Sequence, residues 1–214
     1  LIVGASSGIG RASTKLFAEE GADIVIVARR KDQLDELVAE CQIFGRKITP
    51  FCIDITQKNA PQSVTDFAIK TLGHIDFSFN NAGTIGSFLP IVEQSEADFD
   101  HLMAVNLKSV WLSVKSQAQQ MIKQECGVIV NTSSWLSRGA LQGSSTYSAS
   151  KSALDGLMRA CALEFALSVR VNNINPGGSD TEMTLIAFNH DEDVFRHFGN
   201  SHPVGRMGTS REVA

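Results

Sequence analysis

Tyr147 and Lys151 lie four residues apart in a segment of helical periodicity, so their side chains should share one face of a helix. A free phenol has a pKa of about 10 and is a poor base at neutral pH. An ammonium about 4 Å away contributes about 4 kcal/mol at an effective dielectric of 20. We therefore expect Lys151 to lower the pKa of Tyr147 and to make this phenol a general acid and base.

A glycine loop near the start of the chain is the second group of residues that could do chemistry. Gly4, Gly8 and Gly10 follow an apolar run and open a helical segment. Glycine lets a backbone approach a pyrophosphate closely, and a helix N-terminus offers free N–H groups to phosphate. The spacing G-x-x-x-G-x-G predicts a dinucleotide site, with a simple packing turn as the alternative. The same loop also matches the G-x-S-x-G pattern of serine hydrolases, with Ser6 as the nucleophile.

The end of the second apolar run indicates which dinucleotide is bound. In dinucleotide folds, an acidic residue about 20 positions beyond the glycine loop binds the ribose hydroxyls of NAD. Arg29 and Arg30 stand there in this chain. A guanidinium can hold a 2′-phosphate with paired hydrogen bonds, whereas a carboxylate would repel it. We expect NADP(H), with NAD(H) possible. Alternatively, both arginines are the solvated start of a helix.

Alternating strands and helices must position these groups. Apolar, β-branched runs predict strands at Leu1–Val3, Ile24–Ala28, Ile48–Ile53, Ile75–Phe79, Gly127–Asn131 and Val169–Ile174. Apolar residues at three- and four-residue spacing predict helices at Arg11–Glu20, Asp32–Phe44, Ala60–Leu72, Phe99–Lys123 and Ser148–Leu167. Continuously apolar strands are typical of parallel sheets. The pattern predicts a single α/β domain over residues 1–214, a doubly wound parallel sheet of Rossmann type with helices on both faces.

Further motifs occur in order along the chain, mostly at strand ends. They are Asn80-Asn81-Ala82-Gly83, Asn106 between Val105 and Leu107, Asn131-Thr132-Ser133-Ser134, Tyr147 with Lys151, and Asn175-Pro176-Gly177 followed by Thr181. Together they resemble the short-chain dehydrogenase/reductase family over the whole chain. The resemblance implies four catalytic residues, which are Asn106, Ser134, Tyr147 and Lys151. Ser134 is preferred to Ser133 because it stands 13 residues before Tyr147, the family spacing.

The resemblance also implies a set of cofactor contacts. They are Gly4, Ser6, Ser7, Gly8, Ile9, Gly10, Arg29, Arg30, Asp54, Ile55, Asn81, Ala82, Gly83, Tyr147, Lys151, Pro176, Gly177 and Thr181. Val3 departs from the family pattern, which usually has Thr before the first glycine. The chain also stops where the family adds another helix and a seventh strand, so we expect part of the fold and of the dimer surface to be missing. Residues 181–203 are expected to form a helical substrate lid.

The activity implied is hydride transfer between NADP(H) and a carbonyl or secondary alcohol. Tyr147 would protonate the substrate oxygen, Ser134 would hydrogen-bond it, and Lys151 would hold the nicotinamide ribose. Asn106 would place a water that links Lys151 to solvent; taken alone, it would more simply satisfy a buried backbone group. Apolar side chains should line the pocket, namely Trp135, Leu136, Leu141, Leu185 and Phe188. A non-catalytic NAD(P)-binding sensor and a serine hydrolase remain as alternatives.

Composition excludes several other classes of protein. The 214 residues are 43% hydrophobic and 20% charged, which excludes a disordered chain, a collagen or a coiled coil. A net charge of −4 argues against nucleic acid as a partner. We find no signal peptide and no apolar run of about 18 residues, and expect a cytoplasmic protein without membrane contact. The scattered cysteines, and the acids and histidines between His190 and His202, predict no metal. The resemblance implies a homodimer or homotetramer.

Overall fold

Strand β2 (Ile24–Ala28) shows why this sheet is covered on both faces. Successive side chains of a strand point to opposite sides. Ile24 and Ile26 join one apolar cluster while Val25 and Val27 join a second, and all four are almost fully buried. The computed structural model describes residues 1–188 and 190–214. It confirms the expected α/β domain with a doubly wound parallel sheet.

The main sheet has six parallel strands in the spatial order β3-β2-β1-β4-β5-β6. Besides β2, they are β1 (Ile2–Val3), β3 (Ile48–Cys52), β4 (Phe77–Asn80), β5 (Gly127–Thr132) and β6 (Val169–Ile174). The helices up to β6 are α1 (Gly8–Glu19), α2 (Lys31–Cys41), α3 (Ala60–Leu72), α4 (Glu96–Met103), α5 (Ser109–Lys123) and α6 (Ser145–Glu164). Side chains of α2 contribute to the cluster with Ile24, and those of α3, α5 and α6 to the cluster with Val25.

The strand order reverses between β1 and β4, which lie side by side with Val3 opposite Asn80. A crevice opens at such a point beyond the carboxyl ends of the strands, and ligands of α/β sheets bind there. The glycine loop follows β1 and the Asn81-Ala82-Gly83 segment follows β4. The topology therefore brings two of the sequence motifs together at the switch point.

The helix predicted over Phe99–Lys123 is not one regular helix. It consists of α4, a π-helical turn (Ala104–Lys108) and α5. Such a turn inserts an extra residue into the helical repeat and often occurs at functional sites. Asn106 lies in this turn and is fully buried. The next long helix begins at Ser145 rather than Ser148, so Tyr147 lies in its first turn.

The segment after β6 contains two short helices, α7 (Glu182–Ala187) and α8 (Glu192–Asn200). Two-residue parallel strands flank them, β7 (Ser179–Asp180) and β8 (Gly208–Thr209), and helix α9 (Ser210–Val213) follows. These strands were not predicted, because two residues carry no periodicity. Phe198 of α8 packs edge-on against Phe188 at 5.2 Å between ring centroids. The role of residues 181–203 as a lid stays a prediction, and Asn189 lies outside the described residues.

Candidate active site

The glycine loop after β1 is backbone packed against backbone. Gly4 has a φ of +87°, and a Cβ built on it would lie 2.5 Å from the backbone nitrogen of Ala82. A Cβ on Gly10 would overlap the carbonyl oxygen of Gly4. Only glycine fits at either position. The loop thus presents bare peptide groups in front of the N-terminus of α1, which fits the pyrophosphate of a dinucleotide.

A run of hydrogen bonds connects this loop to α6 across the strand ends. The Asn81 Nδ2 donates to the carbonyl oxygen of Gly4 at 3.0 Å. The Thr132 hydroxyl donates to the Asn81 Oδ1 at 2.9 Å. The Lys151 Nζ donates to the carbonyl oxygen of Thr132 at 2.7 Å. The glycine loop and the lysine of α6 are therefore held in fixed relation by three successive contacts.

Tyr147 and Lys151 share a face of α6, as expected, but the electrostatics differ from the expectation. The Lys151 Nζ lies 5.6 Å from the centroid of the Tyr147 ring, and the lysine is only 4% exposed. Burial lowers the pKa of Lys151 from 10.5 to about 8. Desolvation raises the pKa of Tyr147, and only its hydrogen bond with Ser134 acts in the opposite direction. The expectation that Lys151 lowers the pKa of Tyr147 is wrong in this structure, because desolvation of the buried phenol is the largest effect on its pKa.

Ser134 follows β5 and caps a 3₁₀ turn (Trp135–Ser137). Its hydroxyl oxygen accepts the N–H of Leu136 at 3.1 Å, which leaves the hydroxyl proton free to be donated. The same hydroxyl lies near enough to the Tyr147 phenol to oppose the rise in its pKa. Ser133 instead donates its hydroxyl to the backbone carbonyl of Lys151 at 3.1 Å. This geometry favours Ser134 as the serine that would face a ligand beside Tyr147.

Both polar atoms of the Asn106 side chain are hydrogen-bonded within the protein. Its Oδ1 accepts the N–H of Thr84 and its Nδ2 donates to the Thr84 carbonyl, each at 2.8 Å. Its Nδ2 also contacts the Ser150 hydroxyl at 3.3 Å. Gly83 lies between Asn106 and Lys151, since a Cβ there would be 3.4 Å from the Asn106 Oδ1 and 3.7 Å from the Lys151 Nζ. Asn106 holds the loop after β4, and its placing of a water stays a prediction.

Arg30 binds the outer side of the glycine loop. Its Nη2 donates to the hydroxyls of Ser7 at 2.9 Å and Ser6 at 3.2 Å, and its Nη1 lies 3.3 Å from the Glu182 carboxylate. A guanidinium cannot accept a proton, so this contact gives Ser6 no general base. That arrangement disfavours a serine hydrolase. Arg29 is more exposed than Arg30 and lies 3.8 Å from Asp54.

The remaining predicted cofactor residues lie around this edge, although their side chains are not equally available. Ile55 is buried in the apolar interior, and Ile9 is partly buried against the other cluster. Burial raises the pKa of Asp54, but hydrogen bonds from Thr56 outweigh it and keep the pKa low. Thr181 caps α7, and its methyl group lies 3.4 Å from a Cβ built on Gly8.

The segment after β6 also reaches the site. The Pro176 carbonyl accepts the N–H of Trp135 at 3.0 Å. The Nε2 of His202 accepts the N–H of Gly178 at 3.1 Å, and its Nδ1 bonds the Phe198 carbonyl at 2.9 Å. Gly177 lies against the same imidazole, since a Cβ there would be 3.8 Å from its Nε2. Both nitrogens of His202 are therefore occupied by the protein.

A small cavity adjoins Tyr147, and its lining includes Phe88, Leu102 and Gln94. Among the residues that the structure describes, none of the five predicted pocket residues lines this cavity, and Leu136 is buried. Gln94 was missed by the sequence reasoning. Its Nε2 donates to the Leu89 carbonyl at 2.6 Å and to the Ser145 hydroxyl at 3.2 Å. Gln94 thus connects the loop after β4 to the start of α6. A lone glutamine in a loop belongs to no motif, so its sequence position could not have predicted this connection.

Two further properties concern residues 1–188 and 190–214 only. No group of three or more His, Cys, Asp or Glu side chains among them could hold a metal ion. No helix formed by these residues combines the length and apolar character needed to cross a bilayer.

Comparison with known proteins gives consistent matches over the chain. Residues 1–192 match the family described as short chain dehydrogenase. FabG, a 3-oxoacyl-(acyl-carrier-protein) reductase of Thermotoga maritima, is 37% identical over an alignment of 215 positions, which covers 100% of this chain and 86% of FabG. Cyclohexanol dehydrogenase of an Acinetobacter strain is 31% identical, with coverage of 100% and 83%.

Solved structures share the fold. Levodione reductase has a TM-score of 0.95 at 27% identity, covering 99% of this chain and 85% of its own. An actinorhodin polyketide ketoreductase with NADPH has a TM-score of 0.93 at 25% identity, with coverage of 99% and 85%. A 7α-hydroxysteroid dehydrogenase complexed with NADH has a TM-score of 0.91 at 28% identity, with coverage of 99% and 83%. The chain therefore belongs to the short-chain dehydrogenase/reductase family, and it is an oxidoreductase that acts on alcohol or carbonyl groups with a nicotinamide cofactor.

Proposed function

We propose that this protein transfers a hydride between NADP(H) and a carbonyl or secondary alcohol, with Tyr147 as the group that gives and takes the proton. The observation that carries the proposal is the position of Lys151, whose Nζ lies 5.6 Å from the centroid of the Tyr147 ring and is linked by three successive hydrogen bonds to the glycine loop. The Ser134 hydroxyl lies near the same phenol. This arrangement supports a site in which proton donors and a bound hydride donor would share one edge of the sheet.

The residues of the chain have distinct parts in this reaction. NADPH bound along the strand ends would supply the hydride. As the carbonyl oxygen gains negative charge, the Tyr147 Oη gives it a proton and the Ser134 Oγ donates a hydrogen bond to it. Donors directed at a developing oxyanion in a site of low dielectric provide a large electrostatic stabilisation. Desolvation raises the pKa of Tyr147, so the phenol carries its proton before the carbonyl oxygen gains charge.

The remaining two members of the set act around this proton transfer. The Lys151 side chain would lie beside Tyr147, with its Nζ 5.6 Å from the ring centroid, and its hydrogen bond to the Thr132 carbonyl would keep it in place. Lys151 would also hold the nicotinamide ribose. Asn106 would keep the loop after β4 in place, and would position a water beside Lys151.

The preference for NADP(H) depends on Arg30. Its guanidinium lies at the outer edge of the glycine loop, where hydroxyls of Ser6 and Ser7 orient it. A 2′-phosphate there would compete with Glu182 for the same cation. Among the solved relatives one holds NADH and another NADPH, so the family fold permits both cofactors.

The surfaces near the site support a proposal for the substrate and for the assembly. Phe88 and Leu102 lie near Tyr147, and we expect a partly apolar carbonyl compound to bind beside them, with residues 181–203 as its lid. An open groove of about 610 Å³ lies between the π turn, α5 and α6, and its lining includes the half-exposed Trp111 and Leu157. We expect a second copy of the chain to cover it.

Free thiols at all four cysteine positions suit the reducing cytoplasm.

The test is a panel of carbonyls and secondary alcohols, followed by the absorbance of the reduced nicotinamide with NADPH and NADH. Tyr147→Phe should lower turnover by about 1,000-fold and leave NADPH binding nearly unchanged, because only the proton donor is lost. Turnover retained in this variant would contradict the proposal. Cofactor binding with no turnover of any substrate would favour the sensor, and labelling of Ser6 by a fluorophosphonate would favour the hydrolase.

A further inference from the structure

Asp155 is a buried carboxylate that the proposed reaction does not use. It lies on the same face of α6 as Tyr147 and Lys151, because the three residues are spaced four apart. Its exposure is only 5%, and the nearby Arg138 offers it little neutralisation, since the Arg138 Nε is 3.9 Å away on a side chain that is 83% exposed. A buried charge is costly unless hydrogen bonds replace its hydration. The groups that bond Asp155 are therefore informative.

Three side chains offer this carboxylate hydrogen-bond donors. The Ser137 hydroxyl donates to Oδ2 at 2.7 Å, and the Asn173 Nδ2 donates to Oδ1 at 3.0 Å. The Asn175 Nδ2 lies 3.4 Å from both oxygens. Burial raises the pKa of Asp155, but hydrogen bonds, that of Asn173 the strongest, outweigh it and keep the pKa below its usual value. An ionised carboxylate only accepts hydrogen bonds, and the neighbouring side chains supply donors, so these surroundings favour the ionised form of Asp155.

Asn173 is also the end of a row of amides that crosses the sheet. The strand register places Asn80, Asn131 and Asn173 side by side on β4, β5 and β6. Each amide nitrogen donates to the next amide oxygen, from Asn80 to Asn131 at 2.9 Å and from Asn131 to Asn173 at 3.0 Å. The row ends on Asp155. An acceptor-only group at one end fixes the direction in which all the amides point.

A second branch connects Asp155 to the serine beside Tyr147. The Asn175 Nδ2 donates to the backbone carbonyl of Ser134 at 3.0 Å and contacts the Ser137 hydroxyl at 2.9 Å. Ser137 is the last residue of the 3₁₀ turn that Ser134 caps. The first and last residues of the segment 134–137 are thus held to one carboxylate of α6, one turn beyond Lys151.

We propose that Asp155 is a positioning residue that sets the Ser134 hydroxyl against Tyr147 through Asn175 and Ser137. This inference depends on the proposed function, in which Ser134 hydrogen-bonds the substrate oxygen. A displacement of about 1 Å in a reacting group can cost about 100-fold in rate. An amide at position 155 keeps one acceptor oxygen and turns its NH2 group toward the donor of either Ser137 or Asn173, so one of these two hydrogen bonds is lost and the segment 134–137 would move.

The first test is Asp155→Asn, which keeps the shape of the side chain. We expect kcat to fall by about 10- to 100-fold while the NADPH dissociation constant stays within about twofold, because the glycine loop is not involved. Glu164→Gln is the matched control, an exposed carboxylate on the same helix, and it should leave kcat unchanged. An unchanged kcat in folded Asp155→Asn would overturn the inference.

A double-mutant cycle separates positioning from a general loss of stability. In a Ser134→Ala background, Asp155→Asn should lower kcat by less than about twofold, because the group that it positions is already gone. Losses that multiply would overturn the inference. Amide hydrogen exchange provides a readout without turnover: exchange in residues 134–137 should rise in Asp155→Asn and stay constant at the glycine loop.

A second variant decides the matter if Asp155→Asn does not fold. Asn175→Ala leaves the carboxylate in place and removes its link to the Ser134 carbonyl, so kcat should again fall about tenfold or more. Retained kcat there would contradict the link. Failure of the proposed function has a different signature, since the wild-type protein would then turn over no substrate of the panel. Wild-type turnover that depends on Ser134 but not on Asp155 would overturn this inference alone.

Discussion

The edge of the sheet that carries the candidate site differs between its two ends in burial and in hydrogen-bond partners. At the tyrosine end, Asn106, Ser134 and Lys151 are buried, and backbone groups bond each of their side chains. At the arginine end, Arg29 and Arg30 are largely exposed and bond other side chains. Buried polar groups are costly to disturb, whereas exposed ion pairs contribute about 0–1 kcal/mol. The comparison indicates a rigid end, where we have proposed the chemistry, and an adjustable end, where we have proposed the choice of cofactor.

Replacement of Lys151 is the largest perturbation of the rigid end. Lys151→Met should lower turnover by about 100- to 1,000-fold, because it removes the cation beside Tyr147 and the donor to the Thr132 carbonyl. Steady-state kinetics with NADPH measures the loss. Lys123→Met is the matched control at an exposed position of α5, and it should retain full activity. Comparable turnover in both variants would contradict the view that the buried tyrosine end carries the chemistry.

The same lysine predicts an unusual dependence of stability on pH. The pKa of Lys151 is about 8 in the fold against 10.5 in the unfolded chain, so the unfolded chain binds more protons between these values. Stability should therefore rise with pH over this window, by as much as about 3 kcal/mol relative to Lys151→Met. Urea unfolding of both proteins between pH 7.5 and pH 10 measures the difference, with the Lys123→Met control again beside them. A constant difference across this range would show that Lys151 is not held in a desolvated site.

The smallest expected effect is at the arginine end. Arg30→Gln should weaken NADPH binding about tenfold relative to NADH, because a paired contact to the 2′-phosphate is lost, and leave kcat nearly unchanged. Arg29→Gln should have a smaller effect, since Arg29 lies farther from the loop hydroxyls. Arg46→Gln, which breaks a surface ion pair with Asp23, is the control. Fluorescence titration of both cofactors measures the ratio; a fall in kcat without a change in selectivity would contradict the division between the ends.

The sequence predicted the strands and the place of the motifs well, for a physical reason. A fully buried parallel strand such as Ile24–Ala28 needs apolar residues on both faces, and that requirement is visible in the residues themselves. Once the strands are known, polar and glycine residues that follow them must meet at one edge. The four-residue spacing of Tyr147 and Lys151 likewise fixed their common face.

What the sequence could not show depends on register and burial. The amide row from Asn80 to Asn173 exists only because three strands align, and no local pattern encodes that alignment. Asp155 could have been noticed as the next residue in the series of Tyr147 and Lys151, but its partners come from β6 and a turn. The pKa of Tyr147 was mispredicted because a Coulomb argument between two residues omitted the desolvation of both.

The π turn has a consequence for how this molecule can change. An additional residue between α4 and α5 rotates everything after it by about 100° about the helix axis. The turn therefore sets how α5, which presents Trp111 to the outside, is rotated relative to α4 and the segment before the buried Asn106. Removing a single residue from this turn would restore an ordinary helix and put α5 out of phase with α4. The segment thus tolerates exchange of side chains far better than a change in its length.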